Sequence, residues 1–420
     1  MSPRLRRIVA VVTLLLALVL VAVLTLRALG VPIALGPETA TPMPTPGASA
    51  EPSTEATPSL DEALAAIEAD TADIRDLPAA DIGPPEFVTR DELERRLAEQ
   101  FAEDYPAEQQ AVDNALYHAL GILAPDQDYA ALQLQLLSSQ VIGYYDDAIQ
   151  SMVIVGDAGL TPEAEVTYSH EYTHALQDAA FGMDSLDLDN VDDNDASYAA
   201  LALVEGDATT TMVLWAIQNL TPEEILDISQ TPVPDTSGVP AWMVSQLEFP
   251  YLAGSEFTSQ LYASGGFSAV DEAWADPPVS TEQVLHFRAY LDNEEPVEVI
   301  GSPPAGAHVE QVLESTFGEA MISIWLAALG VDQVDADAAA EGWGGDAISV
   351  LTSADGADVG VELTIAFDTP ADADQFEAAY ADATGRLTGY SSLFRSRETE
   401  VIVQQGTTEQ LFIGTGQLTN

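Results

Sequence analysis

The sequence contains no cysteine and no lysine, and each absence excludes a class of structure. Without cysteine, the 420-residue chain cannot form disulfide bonds or carry a lipoprotein anchor, and any metal ion has to be held by histidines and carboxylates. Without lysine, 12 arginines face 69 aspartates and glutamates, which gives a formal net charge of −57. This charge excludes a nucleic acid as a partner, because it would repel the phosphates.

The negative charge is spread through a sequence that can still form a core. Hydrophobic residues make up 47% of the chain and alternate with the acidic ones, unlike the pattern of an acidic disordered tail. Two explanations are open: adaptation of an extracellular protein to high salt, or a cation-binding surface. We favour the first, since calcium loops of the Asp-x-Asp-x-Asp-Gly type are missing. The acidic segment 184–195 is the remaining candidate for Ca²⁺.

The N-terminal residues predict a membrane anchor. An uninterrupted apolar run from Ile8 to Leu26 is long enough to span a bilayer. Three arginines precede the run and one follows it, so the N-terminus should stay in the cytoplasm and the rest of the chain should face outward. The run is long for a cleaved secretory signal, so we assign residues 1–30 to a signal anchor, with secretion as the alternative. Residues 31–60, rich in proline, threonine and serine, predict a disordered tether.

The most informative segment is His-Glu-Tyr-Thr-His at residues 170–174. The flanking sequence predicts a helix that begins after an N-cap at Thr161. On this helix His170 and His174 leave the same face, four residues apart, and both imidazoles can bind one Zn²⁺. The carboxylate of Glu171 can then accept a proton from a water molecule that the metal activates, as in metal-dependent hydrolases.

A catalytic zinc ion takes three protein ligands, so a third residue is needed. We favour Glu205, which lies in the strongly apolar, alanine-rich stretch SYAALALVEGDATTTMVLWA. A carboxylate inside a buried helix is costly unless it is paired or bound to a metal. Gly206 beside it costs about 1 kcal/mol in a helix, which indicates that another group approaches closely there. The other candidates are His118, His286 and His308.

These residues carry a resemblance to a known family. The segment HEYTHALQD, followed further along by EGDA, resembles the gluzincin branch of zinc metallopeptidases, and it is also similar to the active-site helix of thermolysin-like enzymes. The resemblance implies that His170, His174 and Glu205 are zinc ligands and that Glu171 is the general base. It covers residues 150–216 at the level of motifs. More loosely, the chain resembles uncharacterised membrane-anchored bacterial proteins.

The chain departs from the thermolysin-like pattern at one position. Those enzymes have an aspartate four residues after the ligand glutamate, where this sequence has Thr209. The partner that orients the first histidine is therefore unassigned, and Asp178 and Asp207 are the candidates. Asp207 points away from Glu205 and is expected to be either solvated or close behind a ligand.

Carbonyl hydrolysis also needs a hydrogen-bond donor for the developing oxyanion. Residues 248–291 contain one histidine, His286, and the tyrosines Tyr251, Tyr262 and Tyr290. We select His286 as the catalytic candidate, with a structural histidine as the alternative. The capping sequence STEQ places His286 in the second turn of a helix. The choice among the tyrosines stays open.

The remaining segments define the fold class. Four stretches between residues 61 and 140 have helical periodicity and are predicted to form the wall of the catalytic domain, with a prodomain-like segment as the alternative. Residues 141–156 predict a hairpin with Ser151–Val155 as its second strand. In the related peptidases a strand at this place is an edge strand that pairs with an extended peptide, so the resemblance implies a protein substrate. From residue 340 onward, the order strand, strand, helix, strand, strand predicts a small α+β layer.

Together these features predict an α+β protein with a mainly helical, zincin-like metallopeptidase domain at residues 61–335. A C-terminal α+β subdomain would follow at residues 336–420. The predicted function is that of a membrane-tethered, extracytoplasmic, zinc-dependent peptidase. The alternative is a non-catalytic, zinc-stabilised domain that binds partners at the cell surface. No feature of the sequence predicts the oligomeric state.

Overall fold

The computed structural model describes residues 59–141, 143–146, 150–155, 160–231, 235–301, 308–385 and 387–412. The predicted anchor at residues 1–30 lies outside the described residues, and so does the predicted tether apart from its last two positions. The described part is an α+β fold in which helices outweigh two small sheets, and this confirms the predicted class.

Four helices precede the motif segment, in the stretch where four were predicted. They are α1 (Leu60–Arg75), α2 (Arg90–Asp104), α3 (Ala107–Ala119) and α4 (Tyr129–Gln140). Side chains cap three of them: Ser59, Thr89 and Asp128 each accept a hydrogen bond from a backbone N–H in the first turn. The local sequence therefore determines where these helices begin.

A three-stranded sheet lies next to the motif helix. Its strands are β1 (Glu86–Val88), β2 (Gly143–Asp146) and β3 (Ser151–Val155), in the order β1-β3-β2. The antiparallel pairing of β2 with β3 confirms the predicted hairpin. The prediction that β3 is an edge strand is wrong, because β1 pairs with its other side in parallel. The edge next to the motif helix is β2, and β1 was missed because three residues carry little strand signal.

Long helices form the centre of the molecule. They are α5 (Pro162–Phe181), α6 (Asn194–Asn219) and α8 (Ala241–Gly265), with the short helix α7 (Pro222–Ser229) between the last two and a 3₁₀ turn (Met183–Leu186) after the first. Helix α5 begins at its predicted N-cap, where the Thr161 hydroxyl accepts a hydrogen bond from the Ala164 N–H at 3.2 Å. It ends at Gly182, whose φ of 75° suits glycine.

Helix α6 is the one helix of the described chain that is long and apolar enough to cross a bilayer. Its most apolar eighteen-residue window is 94% buried inside the fold, however. The core position of α6 accounts for its composition, because a helix packed on all sides is apolar all round.

Two glycines allow α6 and α8 to cross at close range. A Cβ atom on Gly206 would overlap the backbone of Gly254, and a Cβ atom on Gly254 would overlap the backbone of Ala202. The sequence-based expectation of a close approach at Gly206 is confirmed. This crossing sets the position of α8 relative to the residues that follow Gly206 on α6.

The C-terminal part is a five-stranded antiparallel sheet covered by helices. Three short helices lead into it: α9 (Phe267–Ala275), α10 (Thr281–Leu285) and α11 (Phe287–Asp292). The sheet has the order β4-β5-β6-β8-β7, with β4 (Val309–Ser315), β5 (Trp343–Ser353), β6 (Val359–Phe367), β7 (Tyr390–Arg397) and β8 (Glu400–Gly406). Its helices are α12 (Gly318–Ala328), α13 (Gln333–Ala340) and α14 (Pro370–Thr384), and a 3₁₀ turn (Glu409–Phe412) follows β8.

The predicted strand–strand–helix–strand–strand order is confirmed by β5, β6, α14, β7 and β8. The sheet also includes β4, which lies before the predicted boundary at residue 336. The end of helix α3 packs on this sheet and on α12: Gln405 Nε2 of β8 donates to the Ala119 carbonyl at 2.9 Å, and the indole of Trp325 on α12 donates to the Leu120 carbonyl at 3.0 Å. One hydrophobic core therefore joins the N-terminal helices to the C-terminal sheet.

We predict that Gly254→Ala lowers the free energy of unfolding by about 1–3 kcal/mol, because the added methyl group forces α6 and α8 apart. Urea unfolding followed by circular dichroism measures this. Gly385→Ala is the matched control, since a Cβ atom at this exposed helix end has no neighbour closer than 4.0 Å. Equal unfolding midpoints for the two variants would contradict the close crossing.

Candidate metal centre

Helix α5 places His170 and His174 side by side in the core. Their Nε2 atoms are 3.1 Å apart, and their rings are nearly perpendicular, at 83°. His170 is fully buried and His174 is 8% exposed. The four-residue spacing thus produces the shared direction expected of neighbours on one helix face.

Helix α6 brings Glu205 to the same point. Its Oε2 atom lies 3.3 Å from His170 Nε2 and 3.4 Å from His174 Nε2. The structure therefore gathers the three side chains that the sequence proposed as ligands, although α5 and α6 are separated by a long connection. Within the described chain, no fourth histidine, aspartate or glutamate joins this group.

The three donor atoms have the spacing that a zinc ion requires. Zinc bonds of about 2.0–2.1 Å in a tetrahedral arrangement place neighbouring ligand atoms about 3.3–3.4 Å apart. The observed separations of 3.1, 3.3 and 3.4 Å agree with this value. Two imidazoles and one carboxylate also form a donor set typical of catalytic zinc, so the residues fit the group.

The electrostatics of the cluster favour a positive charge between the three side chains. Burial lowers the pKa of His170. Burial opposes the charged form of His174 as well, but the carboxylate of Glu205 outweighs it and the pKa rises to about 9. Burial alone would raise the pKa of Glu205, whereas the charge of His174 and hydrogen bonds with both histidines lower it. The Glu205 carboxylate is therefore ionised, although it is buried.

Glu171, the predicted general base, is oriented by the edge strand. Its Oε2 atom accepts a hydrogen bond of 2.7 Å from the backbone N–H of Tyr145 on β2. Glu171 is 2% exposed and lies close enough to His174 for its charge to favour the protonated ring. The side of β2 that faces away from β3 therefore lies next to the Glu171 carboxylate and the histidine pair.

His174 is held by a relay that sequence reasoning missed. Its Nδ1 atom lies 2.8 Å from Gln177 Oε1, and the amide of Gln177 donates to the Val204 carbonyl at 3.0 Å and to Asp207 Oδ2 at 3.1 Å. Gln177 belongs to the motif HEYTHALQD, and its position three residues after His174 on the helix indicates that the two side chains are neighbours. The relay fixes the ring orientation through α6.

Asp207 is fully buried, so of the two expected places, in solvent or behind a ligand, the first is wrong. Through Gln177 it lies behind His174, one of the proposed ligands. Its Oδ1 atom lies 2.7 Å from Arg75 Nε, and the indole of Trp274 donates to Oδ2 at 3.1 Å. Arg75 reaches it from α1, and its guanidinium also lies 2.7 Å from Asp271 and over the ring of Phe267. Nothing in the sequence pairs Arg75 with Asp207, because 132 positions separate them.

His170 has no comparable relay. Its Nδ1 atom is buried, and the described part of the chain provides no hydrogen-bond partner for it. Asp178, the second candidate partner, instead accepts hydrogen bonds from the Tyr145 hydroxyl and the Met183 N–H, both at 3.4 Å. Thr209, which replaces the family's aspartate, is also buried, and its hydroxyl has no partner among the described residues.

Of the three candidate tyrosines, Tyr251 is the one at the cluster. It is fully buried on α8, and its ring centroid is 6.2 Å from that of His170. Burial and then the charges of Glu205 and Glu171 raise its pKa, and its hydroxyl hydrogen-bonds Glu205. Tyr262 packs against Phe267 instead. The Tyr290 hydroxyl donates to the Asp276 carbonyl at 2.9 Å.

His286 lies between α10 and α11, with contacts outside this cluster. Its Nε2 atom is 2.8 Å from Glu319 Oε1, and this hydrogen bond raises the pKa of the ring. Its other charged neighbours are Glu282 and Glu341. Among the described residues, His286 has no contact with Glu171, His170 or His174. Its role as oxyanion donor therefore stays a prediction.

The remaining sequence candidates for metal ligands are elsewhere. His118 is half-buried on α3, with Nδ1 3.2 Å from the Leu123 carbonyl, and His308 is exposed just before β4. The acidic segment 184–195 does not gather three carboxylates within the described chain. Its Asp193 caps α6 instead, by accepting from the Ala196 N–H at 3.2 Å.

We predict that Arg75→Met lowers the free energy of unfolding by about 3–5 kcal/mol, because Asp207 stays buried without its cation. Urea unfolding at neutral pH measures the change. Arg95→Met removes an equal charge from the exposed face of α2, where the partners are Glu92 and Glu99, and should leave stability nearly unchanged. Similar losses in both variants would show that the buried pair has no special role.

Comparison with known proteins gives a match for one part of the chain. A family model described as a domain of unknown function (DUF8575) matches residues 308–413. This range begins just before β4 and includes the whole five-stranded sheet, whereas the cluster of His170, His174 and Glu205 lies outside it. Neither the search of curated proteins nor the search of solved structures found a match.

Proposed function

We propose that this chain is a membrane-tethered, extracytoplasmic, zinc-dependent peptidase of the gluzincin type. The observation that carries the proposal is the triangle of donor atoms from His170, His174 and Glu205, whose sides of 3.1–3.4 Å suit a tetrahedral zinc ion. The adjacent carboxylate of Glu171 distinguishes this triangle from a metal site without a base.

Each side chain of the centre has a separate task. When bound, zinc would supply Lewis acidity, which lowers the pKa of a water molecule and polarises a peptide carbonyl. Glu171 accepts the proton of the attacking water and delivers it to the leaving amine. The hydrogen bond from Tyr145 holds one oxygen of this carboxylate in place. Gln177 and Tyr251 hold His174 and Glu205, respectively.

The edge strand supports a peptide as the substrate. Within the described sheet, β2 is the outer strand on the side of the motif helix, and the Tyr145 N–H on that side points to Glu171. The Tyr145 N–H is bonded to Glu171, so an extended peptide would pair with the other backbone groups of this edge and would lie beside the base and the proposed metal ligands. Strand addition forms hydrogen bonds with the backbone of the peptide, so peptides of many sequences could bind.

The location outside the membrane rests on the N-terminal sequence. The apolar run from Ile8 to Leu26 and the three arginines before it support an anchor with the folded part outside. A peptidase held by such an anchor and a tether at residues 31–60 would act on proteins near the cell surface. High external salt would screen its negative surface.

The alternative is a non-catalytic, zinc-stabilised binding domain. Burial favours it, since His170 is fully buried and Glu205 is only 3% exposed, as in a closed structural site. A structural zinc ion takes a fourth protein ligand, however, and no fourth histidine or carboxylate joins the group within the described chain. Activity measurements on variants separate the two functions.

We predict that Glu171→Gln keeps bound zinc but lowers peptide hydrolysis by about 10²–10⁴-fold, because the base is lost while the ligands stay. His174→Ala should lose both zinc and activity. The measurements are zinc content by plasma mass spectrometry and cleavage of a mixed peptide library by the full chain. Full activity in Glu171→Gln would refute the mechanism. Zinc without any activity in the wild type would favour the binding domain.

We predict that Tyr251→Phe raises the zinc dissociation constant by about 10–100-fold, because the hydroxyl that orients Glu205 is removed. Competition with a chromophoric chelator measures the constant. Tyr262→Phe, on the same helix but packed against Phe267, should leave the constant unchanged. Equal constants in the two variants would show that Tyr251 does not position the ligand.

A further inference from the structure

A second group of carboxylates lies far along the chain from the zinc ligands, where the helical body meets the C-terminal sheet. It consists of Glu282 on α10, Glu294 just after α11, and Asp368 just after β6. One carboxylate oxygen from each residue lies within 4.8 Å of the others. Three separate segments therefore direct negative charge to one point.

Glu282 is the unusual member of this group. The residue as a whole is only 5% exposed, yet its carboxylate makes no hydrogen bond or ion pair with any described residue. Burial and the charges of Glu319, Asp368 and Glu294 raise its pKa to about 8. A carboxyl group buried beside other carboxylates is costly unless a cation compensates it.

Hydrogen bonds hold the three segments in place. The side-chain amide of Gln283 donates from Nε2 to the Glu294 carbonyl at 2.8 Å, which ties the segment after α11 to α10. The Val297 N–H donates to the Gly344 carbonyl at 2.7 Å, and the Asp368 N–H donates to the Gly342 carbonyl at 2.8 Å. The group is therefore built into the fold rather than formed by loose surface side chains.

No arginine pairs with the group in the described chain, and the charge of His286 offsets that of Glu282 only in part. Neither Glu282, Glu294 nor Asp368 forms an ion pair with a described arginine. The nearest histidine, His286, is hydrogen-bonded to Glu319. With so few basic residues in the sequence, an external cation is the available means of compensation.

We propose that Glu282, Glu294 and Asp368 bind a hard divalent cation of the Ca²⁺ type, which fastens the C-terminal sheet to the helical body. Oxygen atoms bound to one Ca²⁺ at about 2.3–2.6 Å lie no more than about 5 Å apart, which the separation of up to 4.8 Å satisfies. Carboxylates are the preferred ligands of this ion. Glu294 and Asp368 are exposed, so the ion can enter from solvent and keep water as its further ligands.

The first experiment titrates the full chain in detergent, after treatment with a chelator, with calcium chloride in a calorimeter. One site with a dissociation constant of about 10⁻⁴–10⁻³ M is expected, as for extracellular calcium modules. The thermal unfolding midpoint should rise by roughly 1–4 °C and then saturate. Sodium chloride at matched ionic strength is the control. An equal rise with sodium chloride, or no rise with calcium, would overturn the proposal.

The second experiment repeats both measurements with variants. Glu294→Gln and Asp368→Asn change exposed residues and should fold normally, yet each should weaken calcium binding at least tenfold. Glu298→Gln, four positions from Glu294 and also exposed, should bind calcium as the wild type does. Unchanged calcium binding in both ligand variants would overturn the proposal, because it would place the calcium elsewhere, for instance at the segment 184–195.

The change in unfolding temperature caused by Glu282→Gln should have opposite signs without and with calcium. In calcium-free buffer it should unfold at a higher temperature than the wild type, because it removes the buried acidic group. In excess calcium the order should reverse. The same order in both buffers would contradict a cation at this point. Since the zinc ligands are untouched in all these variants, the outcome is independent of the proposed peptidase activity.

Discussion

Compensation of buried negative charge is the constraint on which this structure depends. Helix α6 runs through the core of the described chain, and it carries two buried carboxylates, Glu205 and Asp207, two positions apart. A carboxylate buried in this way is costly without a positive partner. Asp207 has Arg75, which comes from the first described helix and has no exposed surface of its own. Glu205 has the two histidines and, in our proposal, the zinc ion between them.

The two compensating pairs are connected. Gln177 bonds both His174 and Asp207, so the ion pair with Arg75 and the metal ligand share one set of hydrogen bonds. Helix α1 therefore contributes to the centre although none of its side chains reaches the ligands. The close crossing of α6 and α8 at Gly206 and Gly254 adds Tyr251 from the other side. A centre that is supported from three helices can hold its donor atoms at a fixed spacing.

The local parts of this arrangement could be predicted from the sequence. The start of α5, the hairpin of β2 and β3, and the order of the C-terminal elements follow from caps, alternation and turns, which act over a few residues. Glu205 could be selected because a carboxylate inside an apolar helix is costly unless it is paired or bound to a metal. The close approach at Gly206 could be predicted on the same grounds, from the cost of glycine in a helix.

The parts that could not be predicted depend on contacts between distant segments. The pairing of Arg75 with Asp207 leaves no periodic signal, and the parallel strand β1 is too short to be recognised. The position of Tyr251 at the cluster, and of Tyr262 and Tyr290 away from it, needed three-dimensional contacts, since all three lie in the same aromatic stretch. The boundary at residue 336 omitted β4, because an alternating edge strand was separated from its partner β5 by two helices.

X-ray absorption at the zinc edge, on the full chain loaded with one equivalent of zinc, tests the central claim most directly. We expect two imidazole nitrogens and one carboxylate oxygen at about 2.0–2.1 Å, with a further light oxygen donor from solvent. The imidazole signal should disappear in His174→Ala. A chain that takes up no stoichiometric zinc, or a spectrum without histidine ligands, would contradict the account.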